Sequence, residues 1–170
     1  MGLADGRWDA DTAVEQLYAG HYRDLVRLSV LLVRDPETAE EVVQDSFVAM
    51  HGRWRSLREP DQALAYLRQS VVNRSRSVLR RRGVQSRHAP APPADLPGAD
   101  EHALAAARRD RVLEALRALP TRQREVIALR YYLDLSEADI ADALGISRGA
   151  VKVHASRGVA ALRTLMEDVS

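Results

Sequence analysis

Apolar residues recur every three or four positions along most of this chain, and this spacing predicts α-helices. No stretch alternates apolar and polar residues as a half-buried strand would. A first helix is expected to end near Asp35-Pro36, because proline cannot continue it, and a second begins at about Glu37. A third is predicted from about Pro60 to Arg82, with Gly83 as its stop.

The helical spacing is lost between residues 84 and 102, where prolines and alanines dominate. Such a composition is typical of a semi-extended linker, although an unimportant disordered spacer fits it too. Helices resume from about Ala103 to Leu119 and from Pro120 or Thr121 to Tyr132, and two shorter ones follow. The sequence therefore predicts an all-α protein: two small helical domains, at 12–83 and 103–168, joined by a Pro/Ala-rich linker at 84–102.

The apolar faces of these helices are expected to form the two cores. They include Tyr18 in the first helix, and Leu104 and Val112 in the fourth.

A helix-turn-helix is predicted near the end of the chain. Ser136–Asp139 has the pattern of a capping box, with an aspartate in place of the longer usual partner. Gly145 breaks that helix and Ser147 caps the next one. Ala141, Gly145 and Val151 then supply the small residue, the turn and the apolar anchor that two closely crossing helices need.

The outward side of the second of these helices carries cationic and polar residues suited to base edges and phosphates. These candidates are Ser147, Arg148, Lys152, Val153, His154 and Arg157. A hairpin that serves packing alone remains an alternative, but it would not need this cationic outer face. His154 is equally compatible with an ordinary surface histidine.

Positive charge is concentrated before the linker. Seven arginines and no acidic residue lie between residues 62 and 94, which leaves 18 basic against 24 acidic residues elsewhere. The balance outside this segment is therefore −6, from 18 − 24. Such segregation indicates one surface for a polyanion and another for a basic partner, unless the arginines only solvate a helix end.

Several classes of function are excluded by what the sequence lacks. It has no cysteine, so disulfides, thiolate metal sites and cysteine nucleophiles are ruled out, and a reducing cytoplasm is the expected location. No phosphate-binding glycine loop or hydrolase motif occurs, and the histidines lack metal-ligand spacing. We expect no enzyme, metal or cofactor, and neither a signal peptide nor a membrane span.

Three segments resemble sigma factors of bacterial RNA polymerase. Ala118–Tyr132, followed by the helix-turn-helix, is similar to their region 4. Glu40–Phe47 resembles the polymerase-binding helix of region 2, and Ala65–Arg74 resembles its promoter-melting helix. Having these two regions alone is the pattern of the extracytoplasmic-function group, and Val151–Gly158 is most similar to its actinobacterial SigE-like subgroup.

The resemblance implies a role for each surface. The acidic face of the second helix would dock on the β′ coiled coil of core polymerase, through Glu40, Glu41, Gln44 and Asp45. From the residues alone, an ordinary solvated face is the simpler interpretation. The β flap and promoter DNA are further implied partners, the helix-turn-helix would read the minus-35 element, and an anti-sigma factor is left open.

Region 2 would read the minus-10 element. The residues implied are Trp54, Arg55, Asn73, Arg74, Arg76, Arg80 and Arg81. Asparagine can pair with adenine, and arginines bind the backbone. Arg53 and Arg58 would help to hold phosphates, while Trp54 is expected with equal weight to stack on a base or to anchor the core.

Two other functions stay open at this point. One is a helix-turn-helix regulator that acts without polymerase, which would leave the acidic helix and the arginine-rich helix unexplained. The other is a degenerate sigma paralogue that binds an anti-sigma factor.

Overall fold

The structure is a computed structural model and describes residues 9–57, 59–85 and 101–168. Within these ranges every regular element is helical, as the apolar spacing predicted. The α-helices are α1 (Ala10–Val33), α2 (Pro36–Gly52), α3 (Trp54–Leu57), α4 (Pro60–Gln85), α5 (Glu101–Ala118), α6 (Thr121–Ile127), α7 (Glu137–Leu144) and α8 (Arg148–Glu167). A π-helical segment, Ala128–Tyr132, continues α6.

Helices α1, α2 and α4 form the core of the first half. Asp9 caps α1 by accepting a hydrogen bond from the Thr12 amide at 2.7 Å. Asp35 caps α2 by accepting one from the Glu37 amide at 3.2 Å. Small polar residues lie where the helices cross, and there the Ser29 and Ser75 hydroxyls share a buried hydrogen bond of 3.0 Å.

Helices α5 to α8 form the second half. Arg124 joins them through its buried guanidinium, which donates to the carbonyl oxygens of Leu116, Arg117 and Leu119 at 2.9, 2.8 and 3.0 Å. The last carbonyls of a helix have no partner inside that helix, and Arg124 supplies partners for the end of α5. The side chain therefore fixes the angle at which the chain turns from α5 into α6.

The two halves also pack against each other. Helix α4 contacts α7, and α1 contacts α5 and the π-helical segment. One continuous apolar cluster contains residues of both halves, including Leu67 of α4 and Ile140 of α7.

Some sequence predictions were wrong. Helix α4 continues through Gly83 to Gln85, and a further short helix, α3, which the apolar spacing did not predict, lies between α2 and α4. The side chains of Tyr18, Leu104 and Val112 are exposed rather than buried. The linker predicted at 84–102 lies mostly outside the described residues, and the domain boundaries remain predictions.

Candidate nucleic-acid interface

Helices α7 and α8 form the predicted helix-turn-helix geometry. The Ser136 hydroxyl accepts from the Asp139 amide at 3.1 Å, which is the serine half of the expected capping box. Gly145 then adopts a left-handed conformation with φ of 66°, and its amide donates to the Ala141 carbonyl. Ser147 caps α8 by accepting from the Ala150 amide at 3.1 Å. The two caps and the glycine turn thus position α8 across α7.

Helix α8 presents most of the predicted minus-35 residues to solvent. Its buried side is formed by small or β-branched residues: Val151, Ala155 and Gly158. The exposed residues are Ser147, Arg148, Lys152, Val153 and Arg157. His154 is half-buried, and within the described residues its Nδ1 atom is buried without a hydrogen-bond partner.

A cationic groove beside α8 was missed from the sequence. Arg130, Lys152 and Arg163 line it, together with the exposed ring of Tyr131. The Arg130 guanidinium lies 5.8 Å from the centre of that ring. The Glu137 carboxylate lies 3.7 Å from Arg130 Nη1 and 3.8 Å from Lys152 Nζ. The signal was available, because Arg130 follows a buried apolar run and precedes two tyrosines.

Helix α4 presents four of the predicted minus-10 residues to solvent: Asn73, Arg74, Arg80 and Arg81. The Arg74 Nε atom donates to the Ser70 hydroxyl at 3.1 Å, which holds its side chain along the helix. Arg76 differs from these four, because its guanidinium contacts the Glu125 carboxylate of α6. Burial raises the pKa of Glu125, while Arg76, Arg122 and Arg124 act in the opposite direction.

The structure places Trp54 in the core rather than on the surface, since only 8% of it is exposed. This corresponds to the core-anchor interpretation, because a buried ring offers no face to a base. Arg55 is exposed on α3, and the Arg53 guanidinium lies 5.8 Å from the centre of the Tyr66 ring. Arg58, the other expected phosphate contact, lies outside the described residues.

The acidic face of α2 is exposed as the sequence predicted. Glu40, Glu41, Gln44 and Asp45 all point to solvent, and Val48, 72% exposed, continues the same face by one turn. Beside it, the Tyr18 ring stacks on Tyr22 with 4.2 Å between ring centres. This stack explains why Tyr18 is exposed, because its ring covers Tyr22 instead of entering the core. The result is a carboxylate-rich surface bordered by apolar side chains.

Comparison with known proteins assigns the two halves. Residues 17–84 match the family model of sigma-70 region 2, and residues 109–162 match that of sigma-70 region 4. An RNA polymerase sigma-E factor of Streptomyces avermitilis is 33% identical over 146 residues, which cover 85% of this chain and 79% of that protein. This chain belongs to the sigma-70 family. It is a sigma factor of the extracytoplasmic-function group, as the sequence motifs indicated.

Other relatives of this sigma factor lie in the same group. The extracytoplasmic-function sigma factor SigM of Mycobacterium tuberculosis is 31% identical over 91% of this chain and 77% of its own length. CnrH, solved in complex with the cytosolic domain of CnrY, aligns with a TM-score of 0.72 and 27% identity over 95% of this chain and 96% of that one. RpoE of Bartonella quintana, solved with the anti-sigma factor NepR, aligns with a TM-score of 0.71 and 22% identity over 90% and 96%. The predicted two-region, all-helical fold is thereby confirmed.

The function predicted from the sequence is confirmed at the level of the family: sigma factors direct core RNA polymerase to promoters. Among the described residues, no group of histidine and acidic side chains is arranged to hold a metal ion. None of the described helices combines the length and apolar character required to cross a membrane.

Proposed function

We propose that this sigma factor divides promoter recognition between its two helical halves. In this division α8 reads the minus-35 duplex, α4 binds the minus-10 element, and α2 docks on the β′ coiled coil of core polymerase. The observation that carries the proposal is the separation of charged surfaces: cations are exposed on α8 and α4, whereas carboxylates are exposed on α2. We expect the protein to act in the cytoplasm, where promoter DNA and polymerase meet.

For the minus-35 element, α8 has the composition of a helix that enters the major groove. Arg148 lies in its first turn, and Lys152 follows one turn later. Exposed cations in these positions support phosphate and guanine contacts, and Val153 supports an apolar contact with a thymine methyl group. The neighbouring groove with Arg130 and Arg163 adds charge that would follow the DNA backbone.

For core polymerase, the carboxylates of α2 are complementary to a basic helical partner. Val48 and the Tyr18 ring would add apolar contact at the edge of the same surface. Because one solved relative is bound to an anti-sigma factor, we include such a protein antagonist among the proposed partners.

The test is run-off transcription with purified core polymerase on genomic fragments, with and without this protein. Discrete start sites that depend on the protein are expected, and aligning them yields both promoter elements. Silence combined with tight, sequence-specific DNA binding by the protein alone would instead identify a regulator that acts without polymerase. Silence on both counts would favour a paralogue that only binds an anti-sigma factor.

Single substitutions test the proposed role of each surface separately. Lys152→Ala is expected to weaken transcription, to leave core binding unchanged, and to lower the salt slope of DNA binding by about 1. Arg109→Ala, a matched loss of one exposed cation on α5, should change neither property. Asp45→Arg should abolish core binding, and the same change at exposed Glu167 should not. Loss of core binding in Lys152→Ala, or retention of it in Asp45→Arg, would contradict the assignments.

A further inference from the structure

The contact between Arg76 and Glu125 joins the DNA-binding helix of region 2 to the interior of region 4. Arg76 Nε donates to Glu125 Oε2 at 3.1 Å, and Nη2 donates to both carboxylate oxygens at 2.9 Å. The Glu125 side chain is 2% exposed and that of Arg76 is 21% exposed. Arg122 Nη1 adds a donor to Glu125 Oε1 at 3.3 Å. This is the two-point pairing by which a guanidinium also binds a phosphate.

Further contacts of opposite charge lie along the same boundary. Arg68 of α4 lines a cleft with Asp139 and Asp142 of α7. On the other side, Arg34 beyond α1 pairs with Glu114 of α5. Within the described residues, carboxylates of region 4 thus pair with arginines of region 2 at two places, and at a third place Arg68 shares a cleft with two carboxylates.

The contact with Glu125 occupies the group of Arg76 that would bind a phosphate. The Arg76 guanidinium cannot pair with the Glu125 carboxylate and with a promoter phosphate at the same time. The side of α4 that packs on α7 is likewise covered by region 4. The likeness to CnrH, which was solved in complex with the cytosolic domain of CnrY, extends over 95% of this chain and so includes both regions.

We propose that Glu125 is an internal competitor for promoter DNA, which holds Arg76 and closes region 4 over the DNA-binding helix of region 2. The proposal rests on the proposed role of α4 in minus-10 binding. Binding of DNA then requires the two regions to separate, and Arg76 exchanges the carboxylate for a phosphate. Glu125 is a positioning residue in this scheme, since it touches Arg76 and not the DNA.

The ion pair is suited to a reversible contact. Burying two charges costs desolvation that their attraction largely offsets, so such a pair adds little net stability to the closed arrangement. Removing one member has a larger effect, because the other is left buried without its partner. Replacing Glu125 by glutamine keeps its size and leaves the Arg76 charge uncompensated, which should open the two regions.

The absence of cysteine makes the opening measurable. Cysteines placed at the exposed positions Gln16 of α1 and Glu167 of α8 can carry spin labels, and double electron–electron resonance then reports the distance between the regions. The labelled protein that keeps Glu125 should give one narrow distance distribution between the two labels. The labelled Glu125→Gln variant should give a distribution that is broader and shifted to longer distances. The control is Glu114→Gln, which removes the exposed pair with Arg34 across the same boundary and should leave the distribution unchanged.

The functional arm uses a fluorescent single-stranded minus-10 oligonucleotide and fluorescence anisotropy. Glu125→Gln should bind it roughly 5- to 100-fold more tightly than the wild type, the usual range of such coupling. The variant Arg76→Gln removes the other member of the pair, so it should also open the two regions, but without tighter DNA binding, because the guanidinium that would bind the phosphate is lost. A merely structural role for Glu125 would not give this combination.

Two results would overturn the proposal. The first is unchanged distance and affinity in Glu125→Gln. The second needs no variant: wild-type protein saturated with the oligonucleotide that keeps its closed distance distribution would show that DNA binds without opening. Run-off transcription by the wild type tests the sigma function separately, because it does not depend on whether the free protein is closed.

Discussion

Gly158 allows α8 to approach α6 more closely than any other residue would permit. A β-carbon at this position would lie 2.9 Å from Cγ1 and 3.2 Å from Cδ1 of Ile127, and 3.5 Å from Cβ of Gln123. Ile127 cannot move away easily, because it belongs to the buried cluster with Leu116 and Leu119. Gly158→Ala should therefore force α8, with its proposed DNA contacts, away from α6.

Two opposing effects determine how much Gly158→Ala changes the free energy of unfolding. Alanine favours a helix interior over glycine by about 1 kcal/mol, whereas overpacking a core costs about 1–3 kcal/mol. We expect Gly158→Ala to lower the free energy of unfolding by about 1 kcal/mol. The matched control is Gly20→Ala in the exposed middle of α1, where no atom lies within 4 Å of the new β-carbon. Because it gains helix preference without a clash, it should raise the free energy by roughly 0.5–1 kcal/mol.

Urea unfolding, followed by circular dichroism, measures both changes, provided that the denaturant slope stays constant. The clash can be tested directly in an Ile127→Ala background, where Gly158→Ala should become neutral or stabilising because the crowded atoms are gone. If Gly158→Ala stabilised the wild type as much as Gly20→Ala does, the close approach of α8 to α6 would be refuted.

Three further predictions concern caps and charged groups. Arg124→Gln should destabilise the protein by about 2–4 kcal/mol in urea unfolding, since buried carbonyls at the end of α5 lose a charged donor; a loss below that of a surface arginine would contradict the capping role. Ser136→Ala should cost about 1 kcal/mol, and Ser136→Gly less, because α7 loses its N-cap. Asp35 has a pKa below its ordinary 3.8, owing first to the Thr38 hydrogen bond and also to Arg82. The ionised Asp35 therefore stabilises the folded protein above pH 3.8, and this stabilisation is lost as the pH falls through the lower pKa that Asp35 has in the folded state. Urea midpoints measured from about pH 5 to 2 should consequently fall less steeply with pH in Asp35→Asn than in the wild type.

The sequence predicted the helices because their signals are local. Apolar spacing gave α1, α2 and α4 to α8, and the caps at Ser136 and Ser147 form as their residue types predicted. The prediction that the helix ends at Gly83 was wrong, because a single glycine weakens a helix by only about 1 kcal/mol and does not have to end it. Local spacing also cannot tell whether an apolar residue will be buried by another element, and Leu104 is exposed on α5, whose first six residues are all exposed.

Some features of the candidate surfaces could be predicted from the sequence, and others could not. Exposed cations on α8 and carboxylates on α2 could be predicted, because the helical period alone decides which residues point outward. The pair of Arg76 and Glu125 could not, because the residues are 49 positions apart and no local rule connects them. One signal did exist: Glu125 directly precedes the buried run Val126–Leu129, and a carboxylate in such a place requires a partner.

The pair of Arg76 and Glu125 suggests a second role for the uneven distribution of acidic and basic residues along the chain. Its excess of acid outside residues 62–94 was expected to serve a basic partner protein, and α2 fits that role. Glu125, Asp139 and Asp142 belong to the same acidic excess, yet they face arginines of the chain's own region 2. On the proposed assignments, DNA and region 4 compete for the arginines of region 2, so the affinity of this sigma factor for a promoter depends on the difference between these two contacts. A single buried carboxylate can then tune promoter binding without touching DNA.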